Sequence, residues 1–393
     1  MISMKKRIAI LGSTGSIGKT SLNIFKNNPK KFEIVLLSAN SNYKSICKQI
    51  KNFKPKYFII NNYKVFQKIK KKFFKKKIKI FNNFNSFKLN KIKFDITISS
   101  IVGIAGLLPT TKFIINSKKV LIANKETIIC GWHIIKKLSK KYKTKIIPID
   151  SEHFSINQLT QNVRDEEIQK IYLTASGGPF LKRSLKTFNS IKPTEAIKHP
   201  KWKMGKKISI DSSNLMNKVL ELIEAYRLFP FDKTKYEIII HPQSLIHAIV
   251  VFKNGQTKFL YHDTDMKIPI ANAIFENNFD SKNFIYSKKD ILDNFENLKF
   301  LKVDKKRFPI VTLIQKFSSS NSGPIILNAS NEVLVNKFIQ GKISFNSIYV
   351  YLKEVLVHKD YQKYAIKSSP NIDEIYKIDK WARNKTIEIL NDK

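Results

Sequence analysis

Two acidic residues stand almost side by side in the segment KIIPIDSEHFS, which runs from Lys145 to Ser155. Asp150 and Glu152 directly follow an apolar run that predicts a strand. In extended backbone, positions two apart face the same side, so the two carboxylates are expected to point together. Glu221, in the later segment DSSNLMNKVLE, offers a third carboxylate. Carboxylates are the ligands that Mg²⁺ or Mn²⁺ prefers, so this set predicts a divalent metal site.

Charge repulsion supports the same interpretation. Two like charges about 4 Å apart cost on the order of 4 kcal/mol at an effective dielectric of about 20, so converging carboxylates need a cation. On the predicted helix, Asn217 and Lys218 lie four and three residues before Glu221 and share its face. Ser212 or Ser213 is expected to cap the start of that helix. The alternative is an N-cap Asp and a surface Glu that pair with the abundant lysines.

Other polar segments suit an anionic substrate. The Ser-Gly-Gly turn of TASGGPF, residues 174–180, could offer its N–H groups to an anion. Ser212, at a helix start, and Lys218 could bind a phosphate through the helix dipole and a point charge. The segment HPKWKMGKK, residues 199–207, sets a tryptophan and a methionine among polar residues and predicts a lid. A surface loop with one packed tryptophan is the alternative.

A glycine-rich turn, GSTGSIG, joins the first predicted strand to a helix at residues 12–18. Glycines at such a turn allow backbone N–H groups to approach a phosphate at the helix N-terminus, and the strand–helix context favours a dinucleotide over an ordinary turn. The second strand, FEIVLLSANSN, ends in Ser38, Asn40, Ser41 and Asn42, with Lys44 following and no acid. An acid there would bind the ribose of NAD and repel a 2′-phosphate, so NADPH is favoured over NADH.

These residues must be positioned by a regular scaffold, and strand-like and helical segments alternate through the first 150 residues. That alternation predicts an α/β fold with a Rossmann-like, doubly wound parallel sheet at residues 1–149. A central α+β catalytic and dimerisation domain is expected at 150–275, a linker at 276–300 and a C-terminal helical domain at 301–393. The predicted strands of the first domain are 7–11, 33–38, 57–60, 78–81, 95–99, 120–123 and 145–149. In the later domains a helical stretch is expected at 212–229, a strand-like run at 237–252, and helices at 308–317, 329–340, 347–357 and 371–390.

Composition limits the other classes. The 393 residues carry a formal net charge of +42, which could indicate a nucleic-acid-binding protein. However, only six of the 72 basic residues are arginine, the residue that nucleic-acid recognition favours. The densest block, KIKKKFFKKKIKI at 68–80, fits a solvated surface better than a polyanion site. Cys47 and Cys130 form no metal or redox motif, which favours a reducing, cytoplasmic compartment. No apolar run is long enough to span a membrane, so a membrane role is not expected.

Eight motifs occur in one order between about residues 5 and 340, and together they resemble the 1-deoxy-D-xylulose 5-phosphate reductoisomerase family. The motifs are GSTGSIG, SSIVGIAGLLPT, LIANKET, PIDSEH, TASGGPF, HPKWKMGKKISIDSSNLMNKVLE, IHPQSLIH and LNASNE. The resemblance implies an NADPH- and divalent-metal-dependent enzyme of non-mevalonate isoprenoid biosynthesis. Such an enzyme rearranges the sugar phosphate 1-deoxy-D-xylulose 5-phosphate to an aldehyde and reduces it to 2-C-methyl-D-erythritol 4-phosphate. Family members are homodimers, with the sheet of the central domain at the interface.

The same resemblance implies roles for individual residues. Asp150, Glu152 and Glu221 would ligate the metal, and Lys125 and Ser151 would touch the substrate. Its phosphate would be held by Ser176, Ser212, Asn217 and Lys218. His199, Trp202 and Met204 would belong to a lid. NADPH would be contacted by Thr14, Gly15, Ser16, Ile17, Asn42, Asn124, Glu126 and Gly205.

The sequence also departs from the family pattern. Asn40 and Ser41 stand where the family often has a glycine and a basic residue, Lys201 replaces an asparagine near Trp202, and Thr264 replaces a common proline. His153 and His247 lie inside matched motifs and are expected to be structural. Two alternatives remain open: an NADP-dependent dehydrogenase without isomerisation, which needs no carboxylate triad, and a lysine-rich nucleic-acid protein on the same scaffold.

Overall fold

A computed structural model describes residues 4–89, 92–202, 204–280, 295, 298–317 and 320–392, without the side chains of 315–317. Contacts divide the chain into two compact units. Unit 1 consists of Met1–Thr127, Trp132–Asp150 and Met266–Tyr286, and unit 2 consists of Ile128–Gly131, Ser151–Asp265 and Ser287–Lys393. Within the described ranges, no helix combines the length and the apolar character needed to cross a membrane.

Unit 1 is built on a seven-stranded parallel sheet with the order β4-β3-β2-β1-β5-β6-β7. Because the chain winds outward from β1 in both directions, the strand order reverses beside β1, where doubly wound sheets bind their ligands. This topology confirms the predicted fold class, and all seven predicted strands are present. They are β1 (Lys6–Leu11), β2 (Phe32–Ala39), β3 (Tyr57–Ile60), β4 (Lys79–Phe81), β5 (Phe94–Ser99), β6 (Ser117–Ile122) and β7 (Lys145–Pro148).

Helices cover both faces of this sheet because the strands are apolar on both sides, as in β1, where Ile8 to Leu11 are all fully buried. The helices of unit 1 are α1 (Ser16–Lys26), α2 (Tyr43–Phe53), α3 (Tyr63–Lys72), α4 (Leu107–Ile114), α10 (Lys267–Phe275) and most of α5 (Lys125–Tyr142), of which Ile128–Gly131 is grouped with unit 2. A short 3-10 helix precedes α4 at Ile104–Gly106. Although α10 comes much later in the chain, its Ile270 and Ile274 join the same core cluster as Ile8 and Ile10.

Unit 2 contains a five-stranded mixed sheet with the order β11-β10-β8-β9-β12, in which only β8 and β9, among the described strands, pair in parallel. The single strand-like run expected at 237–252 is wrong, because the segment between β9 and β10 contains Pro242, and Ser244 has a positive φ of 55°. Both features end a strand. The strands are β8 (Ile168–Ala175), β9 (Tyr236–Ile240), β10 (Ile246–Phe252), β11 (Thr257–Tyr261) and β12 (Leu301–Lys302).

The remaining helices belong to unit 2 and include the predicted helical C-terminal region. They are α6 (Ser151–Leu159), α7 (Pro193–Ala196), α8 (Lys206–Ser213), α9 (Met216–Leu228), α11 (Gly323–Ile339), α12 (Ser347–Val357), α13 (Tyr361–Tyr364) and α14 (Ile372–Asn391). Further 3-10 helices lie at Asp165–Glu167, Leu185–Ser190, Lys233–Lys235 and Pro309–Phe317. The 3-10 helix at Pro309–Phe317 occupies the position of the α-helix that was expected at 308–317.

The contact-based division differs from the expected three domains. It groups Met266–Tyr286 with unit 1 and places the expected central and C-terminal regions together in unit 2. Most of the expected linker at 276–300 lies outside the described residues. The three-domain boundaries therefore stay a prediction.

Candidate active site

The first acidic residues of the site are positioned by the end of β7 and the start of α6. Because β7 ends at Pro148 and α6 begins at Ser151, Glu152 lies in the first turn of a helix. The expected extended geometry of Asp150 and Glu152 is therefore wrong. A carboxylate in a first helical turn is favoured by the helix dipole. Ser151 Oγ donates to Glu152 Oε2 at 2.5 Å and fixes the carboxylate.

The third acidic residue lies on α9, which is preceded by a break in the helix. Leu215, with a positive φ of 66°, separates α8 from α9. Ser212 and Ser213 therefore end α8, and the expectation that they cap the start of the following helix is wrong. The prediction that Asn217 and Glu221 share one face of this helix is confirmed, since Asn217 Nδ2 donates to Glu221 Oε1.

Lys218 joins the two acidic residues of unit 2 into one buried cluster. Its Nζ lies 2.6 Å from Glu152 Oε1 and 2.5 Å from Glu221 Oε2. The side chains of Lys218 and Glu221 are only 5% and 2% exposed. Burial alone would lower the pKa of Lys218, but the two carboxylates outweigh burial and hold the pKa above its usual value. The Lys218 ammonium thus lies between two carboxylates that are largely removed from water, where each charge depends on its neighbours.

Asp150 is joined directly to Ser151. Its Oδ2 lies 3.2 Å from Lys125 Nζ, at the start of α5, and both side chains are largely buried. One oxygen of Asp150, one of Glu152 and one of Glu221 lie within 4.8 Å of one another, a spacing that allows one ion to bind all three.

A second grouping joins Asp150 to His153 and Glu224. His153 is fully buried, and its Nε2 lies 2.8 Å from the carbonyl oxygen of Glu221. That nitrogen therefore supports α9, as expected for a structural histidine. An all-oxygen set suits a hard cation better than a set that includes an imidazole.

The Ser-Gly-Gly turn follows β8 and packs on the end of α8. Gly177 and Gly178 have φ values of 78° and 67°, which favour glycine. A Cβ on Gly178 would lie 2.7 Å from Ser213 Cα and 3.0 Å from Ser212 O, so only glycine allows this approach. The turn therefore brings Ser176 and Ser212, two of the expected phosphate ligands, into one region of unit 2.

His199 orients Ser176. Its Nδ1 accepts the backbone N–H groups of Lys201 and Trp202 at 3.1 and 2.9 Å. The proton of the neutral ring is therefore on Nε2, which donates to Ser176 Oγ at 2.9 Å. Burial and the nearby Lys218 ammonium lower the pKa of His199 to about 4. Gly178 N also donates to Ser176 Oγ, at 3.1 Å, which leaves the hydroxyl proton of Ser176 to be directed at another group.

The rest of the expected lid follows His199. The Trp202 ring meets the ring of His247 edge to face, with centroids 5.9 Å apart. His247 is buried and stacks on His262 at 3.9 Å, and burial, with His262 beside it, lowers its pKa well below the usual value. Trp202 and Met204 are half-buried, and Gly205 precedes α8. Lys203 lies outside the described residues.

In unit 1, the expected dinucleotide-binding residues surround the turn from β1 into α1. A Cβ on Gly12 would lie 2.6 Å from Ser100 O, and one on Gly18 would lie 2.5 Å from Gly12 O. The glycines therefore let the backbone pack tightly at the helix N-terminus. The N-cap residue of α1 is Gly15, which has no side chain that could accept from the first N–H groups of the helix. Gly15 and Ser16 are exposed, and Thr14 and Ile17 are partly exposed, as a phosphate-binding turn requires.

The end of β2 presents amides and hydroxyls. Asn40, Ser41, Asn42 and Lys44 are exposed there. Asn42 Oδ1 accepts from Ser45 N at 3.0 Å and caps α2. Ser38 has a different role from the one expected, because its hydroxyl accepts from Gly12 N at 3.1 Å and holds the glycine turn.

At the start of α5, Asn124 has a supporting position. Its Oδ1 accepts from Thr127 N, and its Nδ2 donates to Gly103 O and Ile101 O. The side-chain amide is thus engaged by the loop that follows β5 and by the first turn of α5. Glu126 is buried in the first turn of this helix.

The sequence did not indicate the residues whose hydrogen bonds support the glycine turn and the helices of the site. The Gln49 amide donates to Ser13 O and accepts from Ser13 Oγ, which anchors the glycine turn. Asn331 Nδ2 donates to Asp211 Oδ1 at 2.8 Å and ties α11 to α8. Asn331 lies in LNASNE and Asp211 in DSSNLMNKVLE, so motif matching singled out both segments without giving their contact. Gln49 lies in no motif.

A doubly wound sheet with a glycine-rich first turn and a carboxylate cluster beside polar, anion-suited groups define a class: dinucleotide-dependent enzymes that use a hard divalent cation. Comparison with known proteins is more specific. The model of the 1-deoxy-D-xylulose 5-phosphate reductoisomerase family matches residues 8–131. Models of the reductoisomerase C-terminal domain match residues 146–229 and 262–385. The chain belongs to the 1-deoxy-D-xylulose 5-phosphate reductoisomerase family, as predicted.

Individual relatives agree along nearly the whole chain. The 1-deoxy-D-xylulose 5-phosphate reductoisomerase of Pelagibacter ubique is 45% identical over 376 residues, 94% of this chain and 96% of that protein. The Persephonella marina protein of the same name is 39% identical over 91% of this chain and 92% of its own. A structure of DOX-P reductoisomerase in complex with NADPH, fosmidomycin and magnesium superposes with a TM-score of 0.91, at 30% identity and 98% coverage of both chains. The Zymomonas mobilis enzyme in complex with NADPH gives a TM-score of 0.88 at 29% identity, over 98% of this chain and 99% of its own.

Proposed function

We propose that this protein rearranges and reduces 1-deoxy-D-xylulose 5-phosphate to 2-C-methyl-D-erythritol 4-phosphate with NADPH, as a step of non-mevalonate isoprenoid biosynthesis. Family membership confirms the predicted enzyme class and activity, and related structures contain the predicted cofactors, NADPH and magnesium. In the protein itself, the observation that carries the proposal is the buried Glu152–Lys218–Glu221 cluster beside Asp150. A dehydrogenase that does not isomerise its substrate does not need such a carboxylate cluster.

The donor set fits a hard divalent ion. Asp150, Glu152 and Glu221 would hold Mg²⁺ or Mn²⁺, because each offers a carboxylate oxygen within 4.8 Å of the others. The bound ion supplies Lewis acidity toward the ketone and hydroxyl oxygens of the substrate. Ser151 orients Glu152, and Lys125 lies 3.2 Å from Asp150, where its ammonium would also reach the substrate.

The substrate phosphate is assigned to the groups around the α8–α9 break. Ser176 already accepts two N–H donors, so its hydroxyl proton can be donated to a phosphate oxygen. Lys218 supplies the positive charge, and Ser212 and Asn217 supply neutral donors. If Asp150, Glu152 and Glu221 held a divalent ion, that ion would share the neutralisation of the carboxylates, and the Lys218 ammonium would be available to the phosphate.

The cofactor is assigned to unit 1. NADPH supplies the hydride that reduces the aldehyde formed by the rearrangement. Thr14, Gly15, Ser16 and Ile17 would hold its pyrophosphate at the start of α1. Asn42 would meet the ribose phosphate, while Asn124, Glu126 and Gly205 would complete the contacts. Asn40 and Ser41 offer the same neutral donors at the end of β2, where an acid would repel that phosphate.

His199, Trp202 and Met204 are assigned to a lid. The lid would exclude water from the reactive aldehyde and so protect it from hydration. The hydrogen bond from His199 to Ser176 supports this assignment because it links the lid to a phosphate ligand. The edge-on contact of Trp202 with His247 gives the lid a second support.

The proposal extends to the setting of the enzyme. We assign it to the cytoplasm, because a chain with only two cysteines has no disulfide framework, and to a homodimer formed through the sheet of unit 2. No membrane and no sequence-specific nucleic acid is proposed as a partner.

The direct test follows NADPH absorbance in the presence of 1-deoxy-D-xylulose 5-phosphate, with and without EDTA. We expect oxidation of NADPH that stops on chelation and returns with added Mg²⁺ or Mn²⁺. NADH is the matched control and should support much slower turnover. Turnover that persists in EDTA would contradict the metal assignment, and substrate-independent oxidation would contradict the activity.

A further inference from the structure

One edge of unit 1 carries charge of a single sign. Residues 34–94 contain 17 lysines and no aspartate or glutamate. Among the described residues of this stretch, Lys56 alone forms an ion pair, with Glu33 at 2.9 Å. The remaining ammonium groups are therefore neutralised by solution ions, which a polyanion can displace.

The fold concentrates these lysines in one place. The stretch forms β3, β4, α2 and α3, and the strand order puts β4 at the edge of the sheet with β3 beside it. The densest part lies on α3 and just after it, where Lys70, Lys71 and residues 75–77 are all exposed. The charge thus covers one edge of unit 1 instead of being spread evenly over it.

Exposed aromatic rings lie among the lysines of α3. Phe73 is 5% exposed and packs in the core, whereas Phe74 is 82% exposed and Tyr63 is 58% exposed. The rings of Tyr63 and Phe66 are 6.1 Å apart, and Lys70 Nζ lies 5.7 Å from the centroid of Phe66. An open groove is lined by Tyr63, Phe66, Gln67, Lys70, Lys71 and Phe74. We call these six residues the α3 surface.

We propose that the α3 surface binds single-stranded nucleic acid without sequence preference. Rings that accept stacked bases, interleaved with cations that contact the backbone, are the two components of such sites. Every base has a π face, so stacking tolerates any sequence, and lysines contact phosphates as point charges without reading bases. The lack of arginine in residues 34–94 therefore argues against base readout but not against this mode of binding.

The arrangement favours a nucleic acid over an anionic membrane. A helix that inserts into a membrane presents a continuous apolar face with the cations on the opposite side. On the α3 surface, Lys70 and Lys71 lie between the rings of Phe66 and Phe74 in sequence and line the same groove. Rings and ammonium groups in one groove can contact the bases and the phosphates of the same strand.

The experiment measures the fluorescence anisotropy of a labelled oligouridylate about 12 nucleotides long with the full-length protein. Tyr63→Ala/Phe74→Ala should weaken binding at least about fivefold and leave the salt dependence unchanged, because stacking is not electrostatic. Lys70→Gln/Lys71→Gln should reduce the slope of log K against log salt by about 1.4, at about 0.7 per phosphate contact.

Matched controls lie on the other side of the same sheet. Tyr142→Ala removes a ring that is 39% exposed on α5, with Lys141 above it, and Lys136→Gln/Lys137→Gln removes two exposed charges there. Both should bind like the wild type. NADPH turnover should be unchanged in all four variants, which verifies that they fold.

Three results would overturn the proposal. One is equal affinity of the ring variant and the wild type for the oligonucleotide. Another is equal affinity of the wild type for the oligonucleotide and for inorganic polyphosphate, which has the charge and lacks the bases. The third is tighter binding to phosphatidylserine vesicles, lost in the ring variant, which would assign the surface to a membrane.

Discussion

Lysine is used in two opposite ways in the two units. In unit 2, Lys218 is buried between Glu152 and Glu221, within 2.6 Å of both carboxylates. In unit 1, the lysines of residues 34–94 are mostly exposed and, with Lys56 as the exception among those described, lack a carboxylate partner. The first arrangement depends on the geometry of three side chains removed from water, whereas the second places many charges where water and salt reach each of them.

The difference shows why net charge is a poor guide to the function of this protein. At the surface, water and salt screen each ammonium, so the large formal charge says little about the fold or the chemistry. In the cluster, removal from water makes each charge depend on its neighbours. We therefore expect substitutions in the cluster to have large and specific effects and those at the edge of unit 1 to have small ones.

The largest effect is expected for Glu221→Gln. The change keeps the size of the side chain and removes the charge of a proposed metal ligand, so turnover should fall at least about 100-fold while NADPH binding is retained. Steady-state kinetics and NADPH fluorescence titration measure the two quantities. The control is Glu237→Gln, since Glu237 is an exposed acid on β9, 3.6 Å from Lys170. Near-normal turnover of the Glu221 variant would remove this residue from the metal site.

Lys218→Ala should act mainly on substrate binding. Loss of a charged phosphate donor is expected to raise KM for the sugar phosphate about tenfold or more. Without metal, the variant should also lose about 3 kcal/mol of unfolding free energy, because Glu152 and Glu221 would lose the ammonium that they share, and Mg²⁺ should restore part of that loss. Urea unfolding with and without Mg²⁺ gives the second quantity.

Lys182→Ala removes an exposed charge from the same unit and should change neither quantity. If KM of the Lys218 variant were unchanged, the phosphate would have to bind elsewhere. If its stability did not respond to Mg²⁺, the idea that ammonium and metal share the neutralisation of the carboxylates would be wrong.

His199 should remain neutral at pH values where an ordinary histidine is protonated, since burial and Lys218 lower its pKa to about 4. A lowered pKa favours the neutral form in the folded state, so the stabilisation is present above the unfolded pKa of about 6.5 and is lost as pH falls from there toward 4. The stability advantage of the wild type over His199→Asn should shrink from pH 7 to pH 5. Because a single proton is involved, the change cannot exceed about 1.4 kcal/mol per pH unit, and solvent screening of the partly exposed ring makes it smaller.

Urea unfolding of both proteins across that range tests the stability change, and histidine NMR signals report the protonation state directly. The signal missing from His199→Asn identifies the residue in the wild type. A midpoint near 6.5 for that signal would show that the ring is solvated and does not hold Ser176 through a neutral Nε2–H.

The sequence predicted the fold of unit 1 better than that of unit 2, for a physical reason. Parallel strands buried on both faces are continuous apolar runs, so all seven were recognised. In unit 2, the positive φ at Leu215 and Ser244 breaks a helix and a strand-like run at residues that rarely adopt it. Tertiary packing imposes these conformations, and no local sequence pattern predicts them.

For the site, the types of the functional residues could be predicted from the sequence, but the contacts that position them could not. Carboxylates that follow a strand and recur on a helix face could be recognised by spacing, although Glu152 reaches its position from a helical turn. The role of Lys218 between two acids depends on residues 66 positions apart. Contacts such as Asn331 to Asp211, 120 positions apart, follow only from the folded chain.

The smallest effect is expected for Lys75→Gln/Lys76→Gln/Lys77→Gln, in the exposed turn that follows α3. Three charges are removed, three times as many as in Lys218→Ala, yet each is solvated and surrounded by like charges. Unfolding free energy should change by less than about 0.5 kcal/mol, and reduced repulsion should make the change slightly stabilising at low salt and negligible at high salt. Values of kcat and KM should stay within about twofold of the wild type at physiological salt, because such salt screens exposed charges beyond about 8 Å. Denaturation at two salt concentrations and steady-state kinetics check both expectations. A loss of stability or activity comparable to that of Lys218→Ala would mean that position and burial do not separate the two groups of lysines, and the contrast between the units would fail.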